Sequence, residues 1–422
     1  MFLSLTSMIA MLDLVMMVKM MMVMVMMIMT TTDDNAYYAE KRIMSEAFSR
    51  FARFVRNMLM FHRSTIDCFH LDIGGYKGVH LDPWLIDDIQ VWLKFATDRE
   101  VKDLSFTCDY LDDIASPRCV FTSQSLVTLT LCGSMLELYE HQPRLHMGTL
   151  RKLSLIGVHG SNEAFKKLIS ACPSLQELKI HGAGGLRNLN ITTSVSRLDL
   201  EVYDVPDRPF TLNCPYVKSL DIAIRGTSPS ILLDVIDVSS FQVVNVRCLP
   251  RCLSSLIIKA FLRHFRDVEV FTLSSLAFEE FCCVKKVDIP QNKWRSLALQ
   301  PWWDNERCLQ VIIELVKSSV DLEELVVYSG KSSGSEGNHE VLSSEISTSC
   351  VIPLLKNVTI HGYGKCCECQ LQLVEFILRN AVVLEKLVIT SENQINAVEE
   401  LDLVKQVSRF KRASANVIVD IA

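Results

Sequence analysis

A short apolar pattern of strand length recurs along most of this chain and constrains its fold more than any other feature. The pattern is Leu-x-Leu or Leu-x-Ile, usually with another apolar residue three positions before the first Leu. Because alternate side chains of a strand face opposite sides, the apolar positions of each copy are expected to point into one core. The copies are VKDLSF (101–106), LVTLTL (126–131), LRKLSL (150–155), LQELKI (175–180), VSRLDL (195–200), VKSLDI (217–222), LSSLII (253–258), VKKVDI (284–289), WRSLAL (294–299), LEELVV (322–327), LKNVTI (355–360) and LEKLVI (384–389).

The spacing of the copies is regular only in the first part of the array. From Leu104 to Leu220 the intervals are 25, 24, 25, 20 and 22 residues, which is the period of leucine-rich repeats. Beyond Leu220 the intervals vary widely, so the sequence predicts a degenerate second half. We predict an α/β leucine-rich-repeat solenoid with a parallel sheet on its concave face and short helices and loops on its convex face. An ordinary α/β sheet is the alternative, and the short returns between strands disfavour it.

The segment 162–178 shows how the chain is expected to return from one strand to the next. Asn162 is a candidate N-cap, Glu163 begins a helix, and Cys172-Pro173 ends it. The apolar residues on one face of this helix are Phe165, Leu168 and Ile169. The segment therefore predicts a short amphipathic helix between two strands.

The positions between the apolar residues of the regular copies are mostly polar or charged. Stacked strands would align them on one continuous sheet face, so we predict that they form a partner-binding surface for a protein target. The alternative, that they are ordinary solvated positions, stays open. The candidate partner-binding residues are Asp103, Ser105, Thr128, Thr130, Lys152, Ser154, Glu177, Lys179, Arg197 and Asp199.

Charge and motif content argue against several function classes. The chain has 43 Lys and Arg against 49 Asp and Glu, a formal net charge of −6, so no nucleic-acid partner is expected. The H-E-x-x-H motif does not occur. Cys366-x-x-Cys369 lacks the second ligand pair that a structural zinc site usually has. We therefore predict no enzymatic activity, no cofactor and no metal.

The N-terminal segment is unusually rich in methionine. Twelve of the 17 Met lie in the first 29 residues, and 15 of the 16 residues from Leu14 to Met29 are apolar. A helix of that run would span about 24 Å, less than the roughly 30 Å hydrocarbon core of a bilayer. A low-complexity extension over 1–32 is the favoured interpretation, with a membrane anchor over 8–29 or a signal segment as alternatives. The odd number of 15 Cys favours free thiols and a cytoplasmic or nuclear protein.

Seven segments of the chain stand in a distinctive order. They are FARFVRNML (51–59), IDCFHLDI (66–73), IQVWLKFATDREVKDLSF (89–106), ACPSLQELKI (171–180), LNCPYVKSLDI (212–222), the stretch 352–389 that begins IPLLKNVTIHGYG, and RFKRASANVIVDI (409–421). Together they resemble plant F-box/leucine-rich-repeat proteins that end in an FBD domain, over roughly residues 43–422. Single motifs are loose, but their order and spacing are specific to that family.

The resemblance implies a domain order as well as a fold. It implies a helix, a first strand, a second helix and then repeats, closed by a C-terminal α/β FBD-like cap. The expected segments are a Met-rich extension (1–32), a helical and strand lead-in (33–99), leucine-rich repeats (100–330), a Ser/Gly-rich linker (331–349) and an FBD-like domain (350–422).

The resemblance also implies a function, that of a substrate receptor of a cullin-type ubiquitin ligase. In that family the F-box docks on a Skp-type adaptor, and the repeats bind the target protein. Residues 1–50 do not resemble an F-box, so we expect adaptor docking through them to be weak or absent. Two alternatives remain: a leucine-rich-repeat protein tethered to a membrane by residues 8–29, and a truncated, non-functional relative.

Overall fold

The computed structural model describes most of the chain beyond its first 33 residues, in two compact units that comprise residues 1–172 and 173–422. The predicted extension (1–32) and the predicted linker (331–349) lie outside the described residues. The described ranges are 34–61, 66–73, 83–108, 118–136, 145–203, 210–226, 233–237, 240–250, 253–284, 289–303, 306–329, 350–363, 367–391 and 397–421.

The first unit is built on parallel strands. Strands β1, β2, β3 and β5 pair in that order, and the first buried apolar residues of the four strands, Phe69, Leu104, Leu129 and Leu153, lie side by side. The two short strands β4 and β6 form a separate pair. The elements are α1 (Asp34–Phe61), β1 (Cys68–Asp72), α2 (Pro83–Asp98), β2 (Asp103–Thr107), a 3-10 helix (Arg118–Thr122), β3 (Thr128–Cys132), β4 (Met135–Leu136), β5 (Lys152–Ile156), β6 (His159–Gly160) and α3 (Asn162–Ser170).

The first two helices pack against each other at the start of the first unit. The ring of Phe51 in α1 meets the ring of the buried Trp92 in α2 edge to face, with centroids 5.8 Å apart. Arg56 in α1 pairs with Asp88 in α2 at 2.9 Å. The first elements run in the order helix, strand, helix and repeat strand, which is the order that the resemblance implies.

Helix α3 forms where the sequence predicts a helix, but its cap lies one residue earlier. Ser161 is the N-cap, because its Oγ accepts the backbone N–H of Ala164 at 3.2 Å. The apolar face is as predicted: Phe165, Leu168 and Ile169 are all buried. The Asn162 cap assignment is wrong, since Asn162 is already the first helical residue.

The second unit repeats the same architecture over more strands. Ten strands, β7, β9, β11 and β13–β19, pair in chain order and all in parallel, while β8, β10 and β12 form a small separate sheet. The elements are β7 (Glu177–His181), β8 (Asn188–Asn190), β9 (Arg197–Tyr203), β10 (Phe210–Asn213), β11 (Ser219–Arg225), β12 (Leu233–Asp237), β13 (Val243–Cys248), α4 (Ser255–His264), β14 (Val270–Leu273), α5 (Ser275–Cys283), β15 (Ser296–Leu299), α6 (Glu306–Ser318), β16 (Glu324–Tyr328), β17 (Asn357–Tyr363), α7 (Cys367–Asn380), β18 (Lys386–Ser391), α8 (Ala397–Arg409) and β19 (Ile418–Ile421).

One predicted strand, LSSLII at 253–258, is wrong. Ser254 caps a helix there by accepting the N–H of Ile257, and α4 follows. The buried residues of α4 are Ile258, Phe261 and Leu262, which recur with helical spacing. A short run of Leu and Ile fits both the helical period and the strand period, and here the Ser254 cap accompanies the helix. The copy VKKVDI falls largely outside the described residues.

The predicted degeneracy of the second half is wrong for β11 to β16, whereas the intervals that follow Leu325 are longer, at 33, 29 and 32 residues. Strands β13 and β14, which the Leu-based pattern misses, carry Val-x-Val and Phe-x-Leu in the same places. With these strands included, the first buried apolar positions of β11 and β13–β16 lie 24 to 28 residues apart. Beyond them, β17, β18 and β19 continue the same parallel ladder. None of the helices in the described part of the chain is long and apolar enough to cross a membrane.

Candidate recognition surface

In the first unit, six predicted partner-binding residues lie on the sheet face opposite the core. Their neighbours along each strand are buried, while they themselves are half-buried or exposed. Strand pairing places them in two straight rows. The rows are Asp103–Thr128–Lys152 and Ser105–Thr130–Ser154. The structure therefore brings these residues together on one face, and their role in binding stays a prediction.

In the second unit, the other four predicted residues lie on the equivalent face. Glu177 is aligned with Arg197, and Lys179 with Asp199. The row that contains Lys179 and Asp199 continues across the next strands, reaching Asp221 in β11 and Asn245 in β13. The predicted residues are therefore the beginning of a longer polar row.

An irregularity in β13 adds a residue to this face. Ile222 in β11 is aligned with Val246, but the next residue, Ala223, is aligned with Cys248. Arg247 is thus an extra residue in β13, a bulge, and bulges redirect side chains. Its side chain extends across β11 to β9. Arg247 was not predicted from the sequence, because the Leu-based pattern does not identify β13 as a strand.

Arg247 is the centre of a half-buried ion cluster. Its guanidinium donates to Asp221 and, at 2.6 Å, to Asp199 Oδ1. Glu201 lies 3.7 Å away, and the Nε2 of His181 lies 3.2 Å from an Arg247 nitrogen. His181 Nε2 also contacts Asp199 Oδ1 at 2.6 Å. The side chains of these five residues are between 13% and 30% exposed, so solvent screens the cluster only in part.

Two further cations and an amide complete the cluster at its margin. Arg225 Nε donates to Glu201 Oε1 at 2.7 Å, and Lys179 lies 3.5 Å from the second oxygen of Asp199. Asn245 donates to Asp221 at 2.9 Å. Three carboxylates are thereby matched by Arg247, Arg225 and Lys179. The charges on this part of the face are paired with one another.

Towards the C-terminus two rows of the same face contain no Asp, Glu, Lys or Arg in β16–β18, while the row before them still includes Glu324 and Lys386. The row that begins with Lys179 continues as Ala298, Val326, Thr359 and Val388 in β15–β18. The next row contains Tyr328, His361 and Thr390. Tyr328 stacks on His361 with ring centroids 4.8 Å apart, and His361 Nδ1 lies 2.9 Å from Thr390 Oγ1. We call the six residues of this area the junction patch: Val326, Tyr328, Thr359, His361, Val388 and Thr390.

Three of the described cysteines have thiols of low reactivity. Burial raises the pKa of Cys172 and of Cys214 to about 12, so both thiols are protonated at neutral pH. The sulfur of Cys282 lies 3.6 Å from that of Cys308, and this contact, together with burial, raises the pKa of Cys282. Among the described residues, no group of His, Cys, Asp and Glu is arranged to hold a metal ion.

Comparison with known proteins finds matches to both the leucine-rich-repeat part and the FBD part of the resemblance. Residues 89–220 match the family model described as "FBD-associated F-box protein At5g56370, LRR repeats", and residues 347–389 match the FBD model. The chain is thus similar to leucine-rich repeats of F-box proteins in one segment and to the FBD family in another. These matches, together with the parallel repeat strands, confirm the predicted resemblance and fold class.

Curated relatives come from Arabidopsis thaliana. The chain is 25% identical to F-box/LRR-repeat protein At3g03360 over 59% of this chain and 53% of that protein. It is 27% identical to F-box/FBD/LRR-repeat protein At5g56420, over 43% of this chain and 44% of the relative. The putative F-box/FBD/LRR-repeat protein At5g22670 is 23% identical over 89% of this chain and 86% of its own length. The chain thus spans about half the length of the first two relatives.

Proposed function

We propose that the chain is a non-catalytic protein-recognition module whose outward sheet face binds a protein target. The observation that carries the proposal is the alignment of polar side chains in straight rows over successive parallel strands. Such rows present many spaced hydrogen-bonding and charged groups on a rigid sheet. Repeat proteins use surfaces of this kind to bind other macromolecules.

The module is further proposed to be the target-binding part of a cullin-type ubiquitin ligase receptor. The supporting observation is the similarity to Arabidopsis proteins whose names combine F-box, FBD and leucine-rich repeats. In this assignment the repeats bind the protein that the ligase modifies. The chain itself carries out no chemical step.

A charge-insertion variant of the first unit tests the recognition role. The variant Ser105→Glu/Ser154→Glu adds two carboxylates to one row of the sheet face, on either side of Thr130. We expect the true target to be recovered at least about tenfold less well, which corresponds to about 1.4 kcal/mol of binding free energy. The measurement is affinity purification of the full chain from plant cells with quantitative mass spectrometry, followed by binding of the purified candidate.

Lys166→Glu is the matched control for this variant. It changes the net charge by the same amount but lies on the exposed side of α3, away from the sheet face. Proteins lost from both variants respond to charge alone. If every protein recovered with the unaltered chain is recovered equally well with the face variant, the proposed recognition role is wrong.

Adaptor docking is a separate prediction. Because residues 1–50 do not resemble an F-box, we expect a purified Skp-type adaptor to bind this chain weakly or not at all. Isothermal titration of the full chain with the adaptor measures this directly. A dissociation constant of about 1 μM or below, close to −8 kcal/mol, would contradict the expectation.

A further inference from the structure

The junction patch differs from the ion cluster around Arg247 on the same sheet face in having no formal charge when His361 is neutral. Val326 and Tyr328 belong to β16, Thr359 and His361 to β17, and Val388 and Thr390 to β18. Tyr328 is 40% exposed even though its ring stacks on His361. Tyrosine is among the residue types most enriched at binding hot spots, the few interface residues that contribute most of the binding energy.

The charged part of the face is less suited to form the centre of an interface. Around Arg247 the carboxylates and cations already pair with one another, so a partner would have to displace these contacts. Binding over the junction patch requires no such exchange. The small and β-branched side chains Val326, Thr359 and Val388 can be covered at the cost of little polar desolvation.

Charged residues lie next to the patch, near the N-terminal ends of its strands. Lys356 and Arg295 pair with Glu323 at 3.0 and 2.7 Å, and Glu324 accepts a hydrogen bond from Ser296 at 2.8 Å. On the far side, the exposed Asp420 is aligned with Val388. An uncharged centre inside a polar rim is the arrangement found in specific protein interfaces.

We infer that the junction patch is the contact centre of the recognition surface and binds an uncharged segment of a partner protein through an aromatic or aliphatic side chain. Charge complementarity selects this partner. The six residues themselves include no Asp, Glu, Lys or Arg that could pair with a charged side chain at their centre, and the nearest charges on this face, Glu324, Lys386 and Asp420, lie at the margin. An unpaired buried charge is costly. The inference rests on the proposed function, which it makes specific.

The inference also gives the FBD region a role in binding. Strand β17 and most of β18 lie within the residues that match the FBD model, 347–389. They pair directly with β16, so their side chains extend the face of the preceding repeats. Two thirds of the junction patch therefore comes from strands of the FBD region.

Selection from a phage-displayed library of random peptides on the immobilised full chain tests the inference. We expect the selected sequences to share uncharged aromatic or aliphatic residues. For a synthetic peptide of the selected sequence, we expect Tyr328→Ala and Thr359→Glu each to weaken binding at least about tenfold in fluorescence anisotropy. Tyr203→Ala is the matched control, because this tyrosine is also exposed but lies at the charged end of the sheet, and we expect less than about a twofold change there.

The possible outcomes separate the inference from the proposed function. If peptides bind but are insensitive to Tyr328→Ala and Thr359→Glu while Tyr203→Ala or Ser105→Glu/Ser154→Glu weakens them, the junction patch is wrong and the recognition role stands. A selection dominated by charged sequences also overturns the patch. If no selected peptide is sensitive to any change on the face, both proposals fail.

Discussion

Replacing Trp294 by Ala is expected to lower the free energy of unfolding by about 3–5 kcal/mol, the range for deleting a large buried aromatic side chain. Trp294 is 0% exposed and stacks face to face on Phe271, with ring centroids 4.2 Å apart. Its indole N–H also donates to the backbone carbonyl of Phe265 at 2.7 Å. The substitution therefore removes a large ring from the core and a buried hydrogen bond together.

Trp294→Phe separates the two contributions. A phenyl ring keeps the stacking on Phe271 but cannot donate to the Phe265 carbonyl. That carbonyl would retain a long 3.5 Å contact with the N–H of Val268. A poorly satisfied buried carbonyl costs about 1–3 kcal/mol, so we expect this variant to lie between the native chain and Trp294→Ala.

Urea unfolding followed by far-ultraviolet circular dichroism measures both variants, because that signal does not depend on the tryptophan itself. Leu256→Ala is the control: Leu256 lies in the same unit, on α4, and is 76% exposed. A surface substitution of this kind changes stability by no more than about 0.5 kcal/mol. If Trp294→Ala shifts the urea midpoint no more than Leu256→Ala does, the aromatic stack contributes little to the stability of this unit.

Most of the fold could be predicted from the sequence because the apolar strand pattern of a repeat protein occurs many times. The copies around Leu104, Leu129 and Leu153 predict strands that the structure places in register. The errors arise where the local signal is short. The run LSSLII satisfies both helical and strand periods, and a single hydrogen bond to the Ser254 side chain accompanies the helical outcome.

The candidate surface was only partly readable. Alternation along a strand identifies which residues face away from the core, and it did so for all ten predicted positions. It does not reveal which of them contact one another across strands. The bulge at Arg247 and the stacking of Tyr328 on His361 depend on register between segments distant in sequence. These contacts between strands can be identified only in the folded sheet.

Replacing Arg247 by Ala is the second change with a large expected effect, a loss of about 2 kcal/mol of unfolding free energy. The value lies between that of an exposed ion pair, about 0–1 kcal/mol, and that of a broken buried pair, about 3–5 kcal/mol. Without Arg247, the carboxylates of Asp199 and Asp221 lose their shared cation. Glu201 keeps its bond to Arg225, and so it is expected to contribute less to the loss.

A double-mutant cycle with Asp199→Asn measures the coupling itself. If the cluster acts as one unit, removing Arg247 costs less when Asp199 is already neutral, and the difference is the interaction energy of the pair. Arg247→Lys keeps the charge but not the forked geometry, which alone can reach several carboxylates at once. We therefore expect the lysine variant to recover only part of the stability.

Arg295→Ala is the matched control for Arg247→Ala. Arg295 pairs with Glu323 at 2.7 Å, a distance comparable to that between Arg247 and Asp199, but its side chain is 56% exposed. An exposed pair is screened by solvent and salt, so we expect no measurable change in the urea midpoint. Equal effects of the two alanine variants would show that the bulge gives Arg247 no special structural role. A large effect of Arg247→Ala alone, reduced at high salt, would establish that the half-buried ion cluster around Arg247 stabilises the sheet.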